Sequence, residues 1–233
     1  MRLDLHIHTL LSPCGSLEMS PARIIAESKK KGLDIIGITD HNTTRQCCEV
    51  KRIGDKEGVM VFCGAEVTTK EEAHCLTFFE DPDALDVFQG FLDLHLPDIK
   101  NVPKKFGDQV WVDEDEMIAG EEERLLISAL DVDIEELERE VHELNGIFIP
   151  AHIDRPMYSI ISQLGFIPPG LRVDALEIVD ITKKKMMMQS YSLPRDITFI
   201  TSSDAHHPHQ IGTRFTDLNM KEATFREFRE ILH

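Results

Sequence analysis

Histidine and acidic residues recur in this chain beside short apolar segments. His6 and His8 lie two residues apart in "DLHIHT", so on a strand their side chains would project to the same face. Asp204 and His206 repeat that spacing in "SSDAHH", near the other end of the chain. Five more such residues stand at or near the ends of apolar segments: Asp40, His41, Glu66, His74 and His152. Each alone is more often a hydrogen-bonded surface residue, but together these imidazoles and carboxylates predict a site for zinc, iron or manganese.

Seven apolar segments must position these side chains. They span residues 3–7, 33–38, 59–63, 75–79, 147–150, 175–179 and 197–201. Helix signals lie between them: Ser20 and Pro21 predict a helix start and Gly32 its end, and Asp133 with Glu136 resembles a capping box. The alternation predicts parallel β-α units, and the nearly continuous apolarity favours strands covered on both faces, as in a barrel or a doubly wound sheet. In a barrel the carboxyl ends of the strands converge on one face, where active sites are built.

Composition predicts an ordinary globular chain with a strong local concentration of acid. The 233 residues are 42% hydrophobic and 29% charged, with a formal net charge of −17. Residues 113–143 alone hold 14 acidic and 2 basic side chains, so the rest of the chain is far less acidic. A phosphate-bearing substrate is therefore compatible with the charge if metal ions supply positive charge locally. No apolar segment approaches a membrane span and no secretory signal is recognisable, so we expect a cytoplasmic protein without a membrane partner.

One segment interrupts the β-α alternation. "DQVWVDEDEMIAGEEE" alternates apolar and polar residues around an acidic tip, which predicts a β-hairpin inserted at about residues 100–125. Its role is either a solubilising flap or a lid over a site. The chain has no repeat and no linker, so we expect a single domain over residues 1–233.

Five motifs, in order and in spacing, resemble those of the PHP (polymerase and histidinol phosphatase) superfamily. They are "DLHIHT", "ITDHN", "GAEV", "AHIDRP" and "SSDAHH", and they extend from Asp4 to His206. The resemblance implies an α/β fold, a distorted (β/α)7 barrel, with two or three divalent metal ions at the carboxyl ends of the strands. It also implies hydrolysis of phosphoesters.

Carried over residue by residue, the resemblance implies three sets of ligands. One metal would be held by His6, His8, Glu66 and Asp204. Glu66 would bridge to a second metal, held also by His74 and His152. A third would be held by His41 and His206. Where the family supplies an Asp or His to that third metal, this chain has Cys14, which either binds zinc or ferrous iron as a thiolate or packs in its loop.

Other residues near the motifs are candidates for supporting roles. As the bridging carboxylate, Glu66 would fix the separation of two metals, and Asp40 would serve as proton shuttle or as a partner of a ligand. Arg155 and Arg45 are candidate phosphate clamps, because a guanidinium matches phosphate geometry with two hydrogen bonds, although surface solvation explains Arg45 equally well. We expect Asp4 to orient a histidine.

The leading interpretation is a phosphoesterase that acts on a small phosphorylated metabolite or a nucleotide. Alternatives are a 3′-exonuclease or oligonucleotide phosphodiesterase, a histidinol phosphatase, and a non-catalytic metal-bearing module that binds a ligand. The sequence gives the nuclease alternative little support, because aromatic residues that could stack on bases are few and no basic stripe follows a nucleic-acid backbone. The sequence predicts neither the substrate nor the oligomeric state.

Overall fold

The computed structural model describes residues 1–191, 193 and 195–232. The strands are β1 (Arg2–Ile7), β2 (Ile35–Ile38), β3 (Met60–Thr68), β4 (His74–Phe79), β5 (Val110–Val112), β6 (Ile118–Glu121), β7 (Ile147–Pro150), β8 (Ala175–Glu177), β9 (Thr198–Ile200) and β10 (Thr216–Asp217). The helices are α1 (Pro21–Lys31), α2 (Cys47–Glu57), α3 (Pro82–His95), α4 (Pro103–Phe106), α5 (Ile134–Glu143), α6 (Ile160–Leu164), α7 (Lys184–Ser190) and α8 (Phe225–Leu232). Single 3₁₀ turns lie at Ile181–Lys183 and Pro208–Gln210.

Helix boundaries follow the predicted signals. The helix α1 starts at Pro21, directly after Ser20, and ends at Gly32, whose φ of 69° is the left-handed conformation that glycine adopts without strain. The helix α5 begins where the Asp133 side chain accepts a hydrogen bond from the backbone N–H of Glu136, at 2.8 Å. Both helices therefore begin where local chemistry satisfies or removes an otherwise unpaired N–H.

Six strands form one sheet in the order β10-β1-β2-β3-β4-β7, and β8 and β9 form a parallel pair. The pairs β1–β2 and β2–β3 are parallel, but β4 runs antiparallel to both β3 and β7. The prediction of parallel units throughout is wrong at β4. The reason is that β3 continues to Thr68, which leaves too few residues before His74 for a crossover helix.

Backbone hydrogen bonds extend the curl of this sheet beyond its six strands. The N–H of Asp174 donates to the carbonyl of Phe148, which links the start of β8 to β7. On the other side, Ala205 bridges to Ile7, which links the segment after β9 to β1. The result is a mixed α/β fold with a curled half-barrel sheet, in which the carboxyl ends of β1, β2, β3, β7, β8 and β9 and the start of β4 lie at one edge.

Two apolar clusters bury the faces of the sheet. One joins the sheet to α1, α2, α3 and α5, and the other packs α8 against the sheet. In the second cluster the ring of Phe62 lies 5.1 Å from that of Phe225 and 5.4 Å from that of Phe228. Burial of these rings fixes the framework that holds the strand ends in place.

The strands β5 and β6 pair antiparallel where the sequence predicts a hairpin. Glu116 lies at the tip of this hairpin, and its carboxylate accepts a hydrogen bond from the backbone N–H of Ala22 at 2.9 Å. This contact ties the acidic tip to the first turn of α1. None of the helices in the described part of the chain combines the length and the apolarity needed to cross a bilayer.

Candidate metal centre

The predicted site residues lie at one edge of the sheet. His6 lies in β1 and Glu66 in β3, and both side chains are buried. His74 begins β4, and because β4 runs antiparallel to β3, its first residue lies at the same edge as the carboxyl end of β3. The remaining members stand just beyond strands β1, β2, β7 and β9: His8, Asp40, His41, His152, Asp204 and His206.

The carboxylate of Glu66 lies at the centre of five histidines. Its Oε1 faces three ring nitrogens: Nε2 of His6 at 3.2 Å, Nδ1 of His74 at 2.8 Å and Nε2 of His152 at 3.2 Å. Its Oε2 faces two others: Nε2 of His8 at 3.4 Å and Nδ1 of His41 at 3.1 Å. Each oxygen therefore serves a different group of imidazoles, which is the arrangement a bridging carboxylate requires.

Four potential ligand atoms lie close together, one each from His6, His8, Glu66 and Asp204. Oδ1 of Asp204 lies 3.3 Å from Nε2 of His6 and 3.3 Å from Nε2 of His8, and those two nitrogens lie 3.2 Å apart. With Glu66 they form a group whose ligand atoms all lie within 4.8 Å of one another. This group has the same four members as the first ligand set implied by the sequence.

Two further groups satisfy the same distance limit. One is His41, Glu66 and His74, and the other is His8, His41 and His206. The ring of His206 stacks on that of His8 with centroids 4.1 Å apart. Among the described residues His152 joins none of these groups, but its Nε2 lies 3.2 Å from the Glu66 oxygen that His74 also faces, beside the second ligand set implied by the sequence.

Cys14 belongs to none of the three groups found among the described residues. It lies in an exposed stretch of its loop, with its thiol near the carboxylates of the centre. Partial burial of the thiol and the negative charges of Glu66 and Asp204 raise the pKa of Cys14 to about 12. The side chain is therefore a neutral thiol at pH 7 in the protein alone.

The protonation states of the histidines fit a cation at this centre. Nδ1 of His6 donates to Glu177, so in the neutral ring the Nε2 lone pair points at the oxygens of Glu66 and Asp204. Acceptors that face one another require a cation between them, either a proton or a metal ion. Burial lowers the pKa of His6, but Glu177, Asp204 and Glu66 outweigh it and raise that pKa well above its usual value. Among the described residues, the buried Nδ1 of His152 has no hydrogen-bond partner.

The pKa values of His41 and His206 are shifted in the opposite direction, downward. Burial and the neighbouring charge of His8 lower the pKa of His206 to about 4. Burial also lowers the pKa of His41 well below its usual value, against the attraction of Glu66. Both imidazoles are therefore neutral at pH 7, which is the state that binds a divalent metal. The donor set of nitrogen and carboxylate oxygen suits zinc, iron or manganese.

Glu177 is a member of the centre that the sequence did not predict. It ends β8, is buried, and lies 3.1 and 3.2 Å from Nδ1 of His6 through its two oxygens. Its Oε2 also accepts a hydrogen bond from the backbone N–H of His152 at 2.9 Å. The structure ends β8 at Glu177, but the apolar segment predicted from the sequence continues to residue 179 and places Glu177 in its middle, so the strand-end signal was hidden.

A second orienting contact reaches His8 through Ser12. The Ser12 hydroxyl donates to Asp40 at 2.7 Å and lies 2.9 Å from Nδ1 of His8. The carboxylate of Asp40 also accepts hydrogen bonds from the backbone N–H and the hydroxyl of Thr9, both at 2.7 Å. Asp40 thus contacts His8 through Ser12, an arrangement compatible with the partner role among the two roles predicted for it.

Asp4 contacts a different element from the one predicted. Its carboxylate accepts hydrogen bonds from the backbone N–H of Ser203 at 2.8 Å, from the Ser203 hydroxyl at 2.6 Å and from the N–H of Gly212 at 2.8 Å. These contacts fix the loop that carries Asp204 rather than a histidine ring. This loop is strained, since φ of Asp204 is 53°. The segment after β7 is strained as well, since φ of His152 is 31°. Left-handed φ values at non-glycine residues cluster at functional sites, where the surroundings hold the strain.

The two candidate phosphate clamps lie in different surroundings. The guanidinium of Arg155 lies 2.6 Å from Oδ2 of Asp204 and is about one-third exposed, so it stands at the mouth of the centre. In Arg45 one terminal guanidinium nitrogen instead donates to both carboxylate oxygens of Asp93 of α3, at 2.7 and 2.8 Å, and the guanidinium lies over the ring of Trp111. The structure therefore brings Arg155 to the centre and directs Arg45 to α3.

Relatives of known sequence include two uncharacterized proteins. One, from Methanocaldococcus jannaschii, is 41% identical over an alignment of 80 positions, which covers 30% of this chain and 46% of that protein. The other, YqxK of Bacillus subtilis, is 25% identical over 256 aligned residues, which cover 97% of this chain and 60% of that protein. The chain thus spans less than two-thirds of the length of these relatives.

Solved structures with the same fold include two kinds of protein. The lesion-specific endonuclease Q of Pyrococcus furiosus superposes with a TM-score of 0.66 at 22% identity, covering 98% of this chain and 55% of that one. A proposed metal-dependent phosphoesterase of Bifidobacterium adolescentis superposes with a TM-score of 0.69 at 18% identity, covering 99% of this chain and 95% of that one.

The sequence profile of the PHP domain matches residues 4–157. The matched segment contains His6, Glu66, His74 and His152, so it includes most of the residues that meet at the centre. Asp204 and His206 lie beyond it and complete the centre through the bridge between β1 and the segment after β9. Since the match covers more than half of the chain, this protein belongs to the PHP domain family.

Proposed function

We propose that this protein is a metal-dependent phosphoesterase that hydrolyses a small phosphorylated metabolite or a nucleotide. The observation that carries the proposal is the position of Glu66, whose two oxygens face two different groups of imidazoles. In this proposal residues 1–233 form a single PHP domain, a distorted (β/α)7 barrel with a hairpin inserted at about residues 100–125.

The proposed centre holds two or three ions of zinc, iron or manganese. The ligand sets are His6, His8, Glu66 and Asp204 for one ion, Glu66, His74 and His152 for a second, and His8, His41 and His206 for a third. Cys14 and His152 both lie outside the three close groups found among the described residues. His152 is kept because its Nε2 lies 3.2 Å from Glu66, whereas Cys14 is left out of the third set. When bound, such ions supply an activated water and neutralise charge on the phosphoryl oxygens.

The protein's own residues orient and hold these groups. Glu66 fixes the separation of two ligand sets, and Glu177 and the Ser12–Asp40 pair hold the rings of His6 and His8 with their Nε2 atoms toward the centre. Arg155 is available to a phosphate at the mouth, where its guanidinium can exchange part of its contact with Asp204 for phosphoryl oxygens.

The charge of the whole chain is compatible with this role. Much of the net charge of −17 comes from residues 113–143, in the hairpin and around α5. Positive charge at the centre would come from metal ions and from Arg155, and electrostatics at a phosphate site is dominated by the nearest charges.

A second candidate is a nuclease. It is favoured by the likeness to endonuclease Q, one structure of which contains a duplex with an abasic lesion and superposes on 99% of this chain with a TM-score of 0.68. This chain spans 56% of that protein, so the parts that recognise DNA there need not have counterparts here.

Hydrolysis assays test the proposal. Protein loaded with manganese, zinc or iron is offered phosphomonoesters, dinucleotide diesters and a duplex that contains an abasic site. We expect turnover of a monoester or a short diester, and its loss in His6→Ala. His95→Ala is the matched control, because His95 ends α3, pairs with Asp131 and belongs to none of the three groups of potential ligands among the described residues. Absence of turnover with every substrate, together with ligand binding by His6→Ala equal to that of the wild type, would indicate a non-catalytic module.

A further inference from the structure

An aromatic ring lies flat against one of the candidate ligands. The ring of Tyr158 stacks on that of His74 with centroids 5.0 Å apart and an interplanar angle of 17°. One face of Tyr158 is therefore covered, yet the residue is 45% exposed. The exposed part of Tyr158 lies beside the centre, because Tyr158 stacks on His74 and Nδ1 of His74 lies 2.8 Å from Glu66.

The backbone holds this ring in a strained conformation. Tyr158 has a φ of 57°, which is rare for a bulky residue. The conformation is held on both sides: the N–H of His74 donates to the carbonyl of Tyr158 at 2.9 Å, and the Ser159 hydroxyl donates to the carbonyl of Arg155 at 2.9 Å. Strain that the surroundings maintain beside a functional centre is a reason to look for a role of the strained residue.

The same loop carries the guanidinium at the mouth. Arg155 precedes Tyr158 by three residues and contacts Asp204, whereas Tyr158 contacts His74. Residues 152–159 thus present two features beside one centre. One is the candidate phosphate clamp Arg155, next to Asp204, and the other is the flat ring of Tyr158, next to His74. A substrate that uses both has a phosphate joined through a short spacer to a planar ring.

We propose that Tyr158 is a stacking platform for a nucleobase, so that the substrate class is a nucleoside phosphate or the end of a short oligonucleotide. The inference rests on the proposed phosphoesterase function and narrows it. Every base has a π-face, so a single exposed aromatic ring selects nucleotides over sugar phosphates without selecting one base. The competing role for Tyr158 is to position His74 alone, which would affect all substrates equally.

Two substrates with the same reacting phosphate separate these roles. Adenosine 5′-monophosphate and ribose 5-phosphate differ by the base, and kcat and KM are measured for both with the wild type, Tyr158→Phe and Tyr158→Leu. We expect Tyr158→Phe to resemble the wild type. In Tyr158→Leu we expect KM for the nucleotide to rise about tenfold, as for loss of one base–aromatic stack, with little change for ribose 5-phosphate. Phe166→Ala is the matched control, because Phe166 is another exposed aromatic residue, 53% exposed, in the segment after α6.

Binding measurements keep this inference separate from the proposed function. Calorimetry with non-hydrolysable phosphonate analogues of the same two compounds gives the preference for the base without turnover. Equal losses for both compounds in Tyr158→Leu, or no loss for either, would overturn the platform while the phosphoesterase function stands. A base preference that depends on Tyr158, in a protein that hydrolyses no ester, would overturn the function while the platform stands.

Discussion

Nδ1 of His6 lies 3.1 and 3.2 Å from the two carboxylate oxygens of Glu177, and both side chains are buried. This contact joins the first strand of the chain to β8 and fixes which nitrogen of His6 faces the centre. An imidazole that donates through Nδ1 to a carboxylate is a stronger and better oriented metal ligand through Nε2.

Glu177→Gln should therefore weaken metal binding about 10- to 100-fold without unfolding the protein. The amide can still accept one hydrogen bond but carries no charge to hold the imidazole. Calorimetric titration of the metal-free protein with manganese or zinc measures the effect, and Glu135→Gln on the exposed face of α5 is the control. An affinity equal to that of the wild type would refute an orienting role for Glu177.

Ser12→Ala should reduce metal affinity about tenfold and lower stability by about 1–3 kcal/mol, because it leaves buried polar atoms of His8 and Asp40 without a partner. Metal titration and urea unfolding of the metal-free protein measure the two effects separately. Ser190→Ala at the exposed end of α7 is the control. Loss of stability without any change in metal affinity would leave Ser12 as a packing residue only.

Arg155→Ala should lower kcat/KM about 10- to 100-fold, the usual range for loss of a charged hydrogen bond to a phosphate. Arg155→Lys should recover only part of this loss, because an ammonium does not make the two-pronged contact. Arg45→Ala should change kcat/KM much less, since Arg45 pairs with Asp93. Steady-state kinetics of the three variants decide the assignment, and a larger loss in Arg45→Ala would reverse it.

The pH dependence of stability should report on His142. This residue contacts Asp174 at the amino ends of β7 and β8, opposite the carboxyl ends that form the metal centre. Burial lowers the pKa of His142, but hydrogen bonds to Asp174 and Glu138 outweigh it and raise that pKa above the usual 6.5. A raised folded-state pKa stabilises the protein fully below the unfolded pKa, and this contribution is lost as pH rises through the folded value.

The difference in Tm between the wild type and His142→Gln should therefore be largest near pH 6 and shrink as pH rises toward 9. Thermal unfolding of the two proteins in matched buffers measures it, and Glu138→Gln in both backgrounds should reduce the pH-dependent part. A Tm difference that is constant across this range would mean that His142 contributes by packing alone.

The strand-end pattern of the sequence predicted most of the centre because a strand end is a local signal. Glu66, His152 and Asp204 each follow an apolar segment, and parallel strands bring such ends together whatever the details of packing. Glu177 was not predicted because it lies in "ALEIV", where a single acidic residue between apolar residues is typical of the interior of a strand.

Other differences come from geometry that residue types do not encode. The reversal of β4 depends on how far β3 extends, and the predicted end of β3 at residue 63 left room for a longer connection than the structure has. The direction of the Arg45 side chain depends on Asp93, which lies in α3, a helix whose position beside Arg45 was not predicted. The partner of a long side chain depends on which residues the tertiary structure brings near it. The distance in sequence from a motif therefore predicts the contacts of such a side chain poorly.

The most direct test of the central claim is anomalous diffraction at the manganese, iron and zinc edges from crystals of the metal-loaded protein. We predict two or three peaks bound by the side chains at the strand ends, with two of them bridged by Glu66 at a separation of about 3.5–4 Å. Crystals grown with these metals that contain no anomalous peak within bonding distance of Glu66 would contradict the account.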